Sequence, residues 1–249
     1  MIIMKQFKAM MKYELIDVKN RKGIFIMSIL MPVIFFLIFS SLNEKDASAE
    51  TQQLIRDYLL SMTTFSLTSF AMFTFPLEMI NDKKEGWSKT LFRAPLSPIL
   101  YYVCKVLKIM VMFMLSIIIV FLVGHFIKGV NMTAFEWMIS GLSLLFGGMI
   151  YLTFGLLLSQ FNDAQRMSTV SNILYLGLAM LGGLWFPVFL FPDWLKQIAY
   201  LSPTYNFKNL AAGLFSDSYP YQSILILIVY GLIFTLAALW LRNKSEVMK

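Results

Sequence analysis

The sequence predicts an all-α integral membrane protein with six transmembrane helices, and three observations carry that prediction. Of the 249 residues, 58% are hydrophobic and only 14% are charged, where a soluble chain of this length carries about 25%. Six continuous apolar runs, at 24–42, 58–80, 99–127, 137–158, 167–191 and 221–241, each approach or exceed the ~20 residues a helix needs to cross the hydrocarbon. The basic residues then alternate between crowded and sparse segments. With the N-terminus inside, six Lys/Arg lie in 1–23, four in 81–98, one in 159–168 and three in 242–249. Only Lys45, Arg56, Lys128, Lys196 and Lys208 fall outside. That bias puts both termini and the 81–98 segment in the cytoplasm. The β-barrel alternative is weak, because its strands would alternate at every second residue and these runs are continuous.

The net charge of +7 does not point to nucleic acid, since the basic residues flank the apolar runs instead of forming one patch. The single cysteine, Cys104, rules out an internal disulfide. The first apolar run has no small-residue cleavage site after it, so it reads as a retained span. No linker divides the chain, and residues 1–249 read as one transmembrane domain.

Residues 1–23 contain an amphipathic helix. Ile3, Phe7, Met10, Met11, Leu15 and Val18 share one arc, with Lys5, Lys8, Lys12 and Lys19 beside it. Such a helix lies in the headgroup plane of an anionic membrane. Glu14 falls inside the apolar arc, which calls either for a buried partner or for a snorkelling carboxylate. Pro32 and Pro76 fall within spans, where a helix bends around them.

Span two carries Ser61, Thr64 and Thr68 within about 60° of one another. They are either back-bonded to the preceding turn or a polar stripe along a translocation path. Glu78, near the cytoplasmic end of that span, has Lys105 and Lys108 as candidate partners. Those lysines lie one turn inside span three and are able to snorkel back to the membrane surface. In span four, Gly141, Ser143, Gly147 and Gly148 make a close-packing face.

The 81–98 segment is a polar island that also carries Trp87, Leu91 and Phe92. One reading is a short amphipathic helix, capped by Asp82 and stopped by Pro95, with Trp87 and Leu91 on one apolar ridge. The other is a basic loop resting on lipid headgroups. Ser97-Pro98 then has the form of an N-cap and first residue of the next helix. The outer segment 187–220 is punctuated by Pro187, Pro192, Pro203 and Pro220 but is rich in aromatics. It fits two short interfacial or re-entrant helices, about 192–201 and 204–214.

Enzyme chemistry has little to stand on. One histidine, His125, cannot make a two-histidine zinc site. No Gly-x-x-x-x-Gly-Lys loop is present to cradle a nucleotide. No paired catalytic carboxylates or nucleophile elbow appear within the spans.

Two segments together resemble the type-2 ABC exporter permeases. The run Glu85-Gly-Trp-Ser-Lys-Thr-Leu, followed by Ala94-Pro-Leu-Ser97, is similar to the family's first cytoplasmic loop. Gly182-Gly-Leu-Trp-Phe-Pro187, Phe191-Pro-Asp-Trp-Leu195 and Leu201-Ser-Pro-Thr-Tyr205 are similar to the end of its fifth span and its outer re-entrant helices. The resemblance covers essentially the whole chain. It implies two six-span subunits, from the same or different chains, in a bacterial cytoplasmic membrane. Each would rest on a separate ABC ATPase that holds the ATP and Mg, with no cofactor in this chain. It further implies that Glu85, Gly86, Trp87, Leu91 and Pro95 couple to that ATPase. Gly182, Gly183, Phe186, Pro187, Pro192, Trp194 and Pro203 would form the outer re-entrant gate. The outer loop 43–57 is short, so no separate outer domain sits there.

The 18 Met and 23 Phe suit an adaptable apolar path. Amphipathic peptides or lipophilic toxins and drugs are therefore the expected cargo. The alternatives are lipid-linked glycans or ions, or a membrane enzyme or immunity protein that acts without ATP.

Overall fold

The computed structural model describes residues 2–20, 22–42, 49–86, 97–215 and 220–247, and every regular element among them is helical. In chain order these are α1 (Ile2–Asn20), α2 (Lys22–Leu42) and α3 (Ala49–Ser69), which passes through a π-helical turn at Phe70–Thr74 into α4 (Phe75–Lys84). Then come α5 (Pro98–Lys128), α6 (Ala134–Leu158), α7 (Ala164–Leu181), α8 (Asp193–Leu201), α9 (Pro203–Ala212) and α10 (Tyr221–Val247). Five stretches among the described residues are long and apolar enough to cross a bilayer: Phe25–Leu42, Glu50–Lys84, Ile99–Lys128, Ala134–Leu158 and Tyr221–Lys244.

The fifth expected run, 167–191, is helical only as far as Leu181. The cause is local. Gly183 takes φ 69°, its N–H bonds Met180 O, and Leu184 N–H bonds Ala179 O. This pair of bonds around a left-handed glycine closes a helix C-terminus. Asp163 fixes the other end by accepting a 2.8 Å bond from Arg166 N. What remains of α7 is about 27 Å long, just under the thickness of the hydrocarbon.

The bundle is organised around the continuous α3–π–α4 post. In its apolar window 89% of residues are buried, against 17–44% for the other four candidate spans. The outer helices accordingly turn Leu, Ile, Met and Phe outward, as lipid-facing surfaces do, for example Leu225, Leu232 and Leu236 on α10. The post is rich in hydroxyls, several of which find partners close by. Thr63 and Thr64 donate to the carbonyls of Leu59 and Leu60. Ser66 reaches Ser28 O and Ser116 Oγ, at 2.7 and 2.8 Å, which pins α2, α3 and α5 together. In hydrocarbon each such group must be satisfied within the protein.

The small-residue face of α6 packs as expected, within the chain. A side chain at Gly147 would run into Phe207 and Leu210 of α9, and one at Gly148 into Phe113 of α5. Gly141 has only ordinary contacts with Ile117 and Phe121. A position missed in the sequence is the tightest: a Cβ at Gly155 would overlap the Ala71 carbonyl oxygen of the post.

The two short helices after α7 fall where 192–201 and 204–214 were expected. Helix α9 is wedged into the bundle, with Pro203, Thr204, Asn206, Phe207, Leu210 and Ala211 buried. Its Thr204 Oγ1 lies 2.9 Å from Tyr151 Oη of α6. By contrast α8 buries only Ala199 and exposes Trp194, Ile198 and Leu201.

Candidate functional site

Where α1, α4 and α5 meet, six charged side chains come together, four of them buried and Asp17 and Asp82 partly exposed. Their sequence spacing makes this possible. Glu14 and Asp17 are three apart on α1, Glu78 and Asp82 four apart on α4, and Lys105 and Lys108 three apart on α5, so each pair shares one helical face. Lys105 Nζ lies 3.1 Å from Glu14 Oε1, 3.5 Å from Glu78 Oε2 and 3.0 Å from Asp82 Oδ2. Lys108 Nζ lies 3.0 Å from Glu14 Oε2, 2.8 Å from Asp17 Oδ2 and 2.8 Å from Glu78 Oε1. Tyr101, one turn before Lys105, donates a short hydrogen bond to Asp82. Glu14 and Lys108 are both 0% exposed.

Two sequence expectations are corrected here. Lys105 and Lys108 do not snorkel to the surface: they turn inward, each held by three of the four carboxylates at 2.8–3.5 Å. Asp82 does not cap an island helix. The helix of span two runs on through Lys84, and the Asp82 carboxylate is committed to Lys105 and Tyr101. The carboxylate of Glu14, left open between a buried partner and snorkelling, has its partner in both lysines.

The cluster cannot be read as a metal site. Glu14, Asp17 and Glu78 bring ligand atoms within 4.8 Å of one another, but the Lys108 ammonium sits among them and fills the position a cation would take. What the arrangement can do is mechanical. It ties α1 to α4 and α5, so that a displacement of α1 or α4 would be carried to α5.

The island begins directly above it. Helix α4 ends at Lys84 with Glu85 as its C-cap, and Gly86 takes φ 68°, in the left-handed region. Trp87, Leu91 and Pro95 lie outside the described residues. The near side of the island is tethered to the α6–α7 loop: Lys83 Nζ donates to Ser159 O at 2.9 Å, and Lys84 Nζ lies 3.8 Å from Asp163 Oδ2. Backbone N–H groups at the start of α7 hold the Asp163 carboxyl below the usual carboxylate range. Chain entry into α5 follows the Ser97-Pro98 pattern, with Pro98 as the first helical residue.

At the opposite end, Gly182 is pressed against Thr204 and the Tyr205 backbone, leaving no room for a side chain. Gly183 sits against Val188. Phe186 packs edge-on to Phe39 of α2, Pro187 and Pro192 precede the next two helical turns, and Pro203 opens α9. Trp194 is exposed. Ser61, Thr64 and Thr68 are buried within the post, with Thr64 and Thr68 bonded back to Leu60 O and Phe65 O.

Comparison with known proteins gives this layout a family. The model of the ABC-2 type transporter family matches residues 5–215, a stretch that begins in α1 and ends after α9. The chain belongs to the ABC-2 type transporter family. Among curated proteins, one of Bacillus subtilis (strain 168) named "Putative transport permease YvfS" is 32% identical over 251 residues, covering 99% of each chain. As an ABC-2 family member, the protein is a multi-pass membrane transport permease. Both ends of the match are informative. The amphipathic α1, which holds half of the acidic residues in the charge cluster, and the short helices α8 and α9 lie inside the ABC-2 region, whereas α10 lies beyond it.

Proposed function

We propose that this ABC-2 permease is the membrane subunit of a bacterial exporter, paired with a second permease and driven by a separate ATPase in the cytoplasm. The observation that carries this reading is the buried ionic joint between α1, α4 and α5. A permease with no nucleotide-binding loop of its own has to receive work from outside. The joint links the interfacial helix and both helices flanking the island into one unit on which a partner can push. Residues Glu85, Gly86, Trp87, Leu91 and Pro95 are the proposed docking surface. Gly182, Gly183, Phe186, Pro187, Pro192, Trp194 and Pro203 shape the proposed outer gate, for which the burial of α9 and the exposure of α8 offer support. ATP and Mg belong to the partner. A path along Ser61, Thr64 and Thr68 requires the helices around the post to part, since all three are buried in this conformation.

The high Met and Phe content of the chain favours an adaptable apolar path, and with it amphipathic peptides or lipophilic drugs over glycans or ions. Purification of the tagged chain from its own membrane tests the reading of an ATP-driven exporter. The expected result is a co-purifying ATPase with a Gly-x-x-x-x-Gly-Lys loop at comparable abundance, and ATP hydrolysis that rises on reconstitution with the permease. Transport that proceeds without any such partner overturns it.

The proposed orientation has its own check. With Cys104 removed, a cysteine in place of Ser88 is expected to be shielded from impermeant thiol reagents in intact cells, and one in place of Ser216 to be labelled. The reverse pattern contradicts a cytoplasmic island.

A further inference from the structure

We infer that the π-helical turn Phe70–Thr74 is a register joint, which lets α4 turn relative to α3 while the outer half of the post stays fixed. The turn leaves polar groups unsatisfied in the middle of the bundle. Phe75 N–H, which in an α-helix would bond Ala71 O, bonds Phe70 O instead. The residue five after Ala71 is Pro76, which has no N–H to give. The Ala71 carbonyl is therefore left facing Gly155 of α6, the one place where it fits, because glycine has no Cβ to collide with it. Thr74 adds a second unsatisfied group. Its Oγ1 is buried without a hydrogen-bond partner, whereas Thr63 and Thr64, about three turns upstream, bond back to the carbonyl four residues earlier.

An α-helical register supplies part of what is missing. Phe75 N–H passes to Ala71 O, Met72 O then loses its partner to Pro76, and the net gain is Thr74 Oγ1, which can bond back to Phe70 O. Unsatisfied groups of this kind are costly in a bilayer interior, so something must hold the observed register. The charge cluster does. Glu78 and Asp82 stand on α4 just beyond the turn and are fastened to Lys105 and Lys108. Removing the extra residue from the turn rotates everything beyond it by about 100° and shifts it by about 1.5 Å. That motion pulls both carboxylates away from the lysines. Two opposed sets of interactions on either side of one turn make a two-state element, and π turns inside α-helices recur at functional positions. A push on the island that loosens the ionic joint would release the turn and rotate α4.

The test needs neither ATPase nor cargo, so its failure leaves the exporter reading untouched. Spin labels are placed on Lys84→Cys at the end of α4 and Val103→Cys on the exposed face of α5, in a Cys104→Ser chain reconstituted in lipid nanodiscs. A rotation of about 100° at the helix surface changes their separation by roughly 8 Å. The parent is expected to show one dominant distance. Gly155→Ala, which pushes on the Ala71 carbonyl, is expected to raise a second distance at least fivefold. Glu78→Gln, which loosens the hold on α4, is expected to raise the same distance. Adding Thr74→Val to Glu78→Gln removes the unsatisfied hydroxyl and is expected to return the population toward the parent. If Gly155→Ala yields no folded protein, the Glu78→Gln and Thr74→Val comparison decides alone. One unchanged distance in every folded variant overturns the inference.

Discussion

Replacing Lys108 with methionine is expected to remove most of the folded protein from the membrane. The side chain is fully buried and touches Glu14, Asp17 and Glu78 within 3.0 Å. Without it, four carboxylates share the single ammonium of Lys105. Leaving a buried charge uncompensated costs about 3–5 kcal/mol, a hundredfold or more in the folded population at 1.4 kcal/mol per factor of ten. The cluster is also expected to respond asymmetrically. Four acids against two lysines is already an excess of acid, so Asp17→Asn should be mild where Lys108→Met is severe. Lys108→Met combined with Glu78→Gln should recover part of the loss. Yield of monodisperse protein after detergent extraction, with its thermal midpoint, checks all three variants. A well-folded Lys108→Met protein would mean that the ionic joint does not hold α1 to the spans.

Gly183→Leu is expected to abolish transport while leaving membrane insertion and partner binding intact. Gly183 lies at φ 69°, where an L-residue pays roughly 1–2 kcal/mol. A side chain there also meets Val188 and the Phe186 carbonyl. The helix end at Leu181 would have to unwind or shift, and with it the turn that leads to α8 and α9. Because α9 is packed against α3, α6 and α10 by its own buried face, the damage should stay local to the connection and not unfold the bundle. A loss of tenfold or more in transport at normal expression is the predicted outcome. Normal transport would remove the 182–220 segment from any gating role.

The fold class was legible because a bilayer demands long apolar helices, and these show in any composition window. The pairing of Glu78 with Lys105 and Lys108 was legible, since spans two and three are consecutive, but Asp17, Asp82 and the lysine partners of Glu14 were not. Glu14 and Lys108 are 94 positions apart, and only the packing of α1 on α5 brings them together. For the same reason the lysines looked free to snorkel. Ala49–Asp57 of the post is too polar to register as part of an apolar run, so span two looked shorter than it is. The early end of α7 was signalled by Gly182-Gly183, but Leu184, Trp185 and Phe186 carried the hydropathy onward past the true helix end. The π turn left no trace beyond Pro76, since what accommodates and holds it, Gly155 of α6 and the charge cluster, is tertiary.

The most direct measurement of the central claim compares ATPase co-purification and transport for two island variants side by side. Trp87→Ala with Leu91→Ala removes two large apolar contacts, each worth about 1.5–3 kcal/mol if fully buried. Losing half of that total weakens docking tenfold or more. Neutralising Lys83, Lys84 and Lys89 together instead weakens any attraction of a basic loop to lipid headgroups. If the island couples the permease to an ATPase, the double alanine variant inserts and folds normally but no longer retains the ATPase or supports export, and the lysine variant retains it. A double alanine variant that binds and exports like the parent, beside a lysine variant that fails, would make the island a lipid anchor and contradict the account.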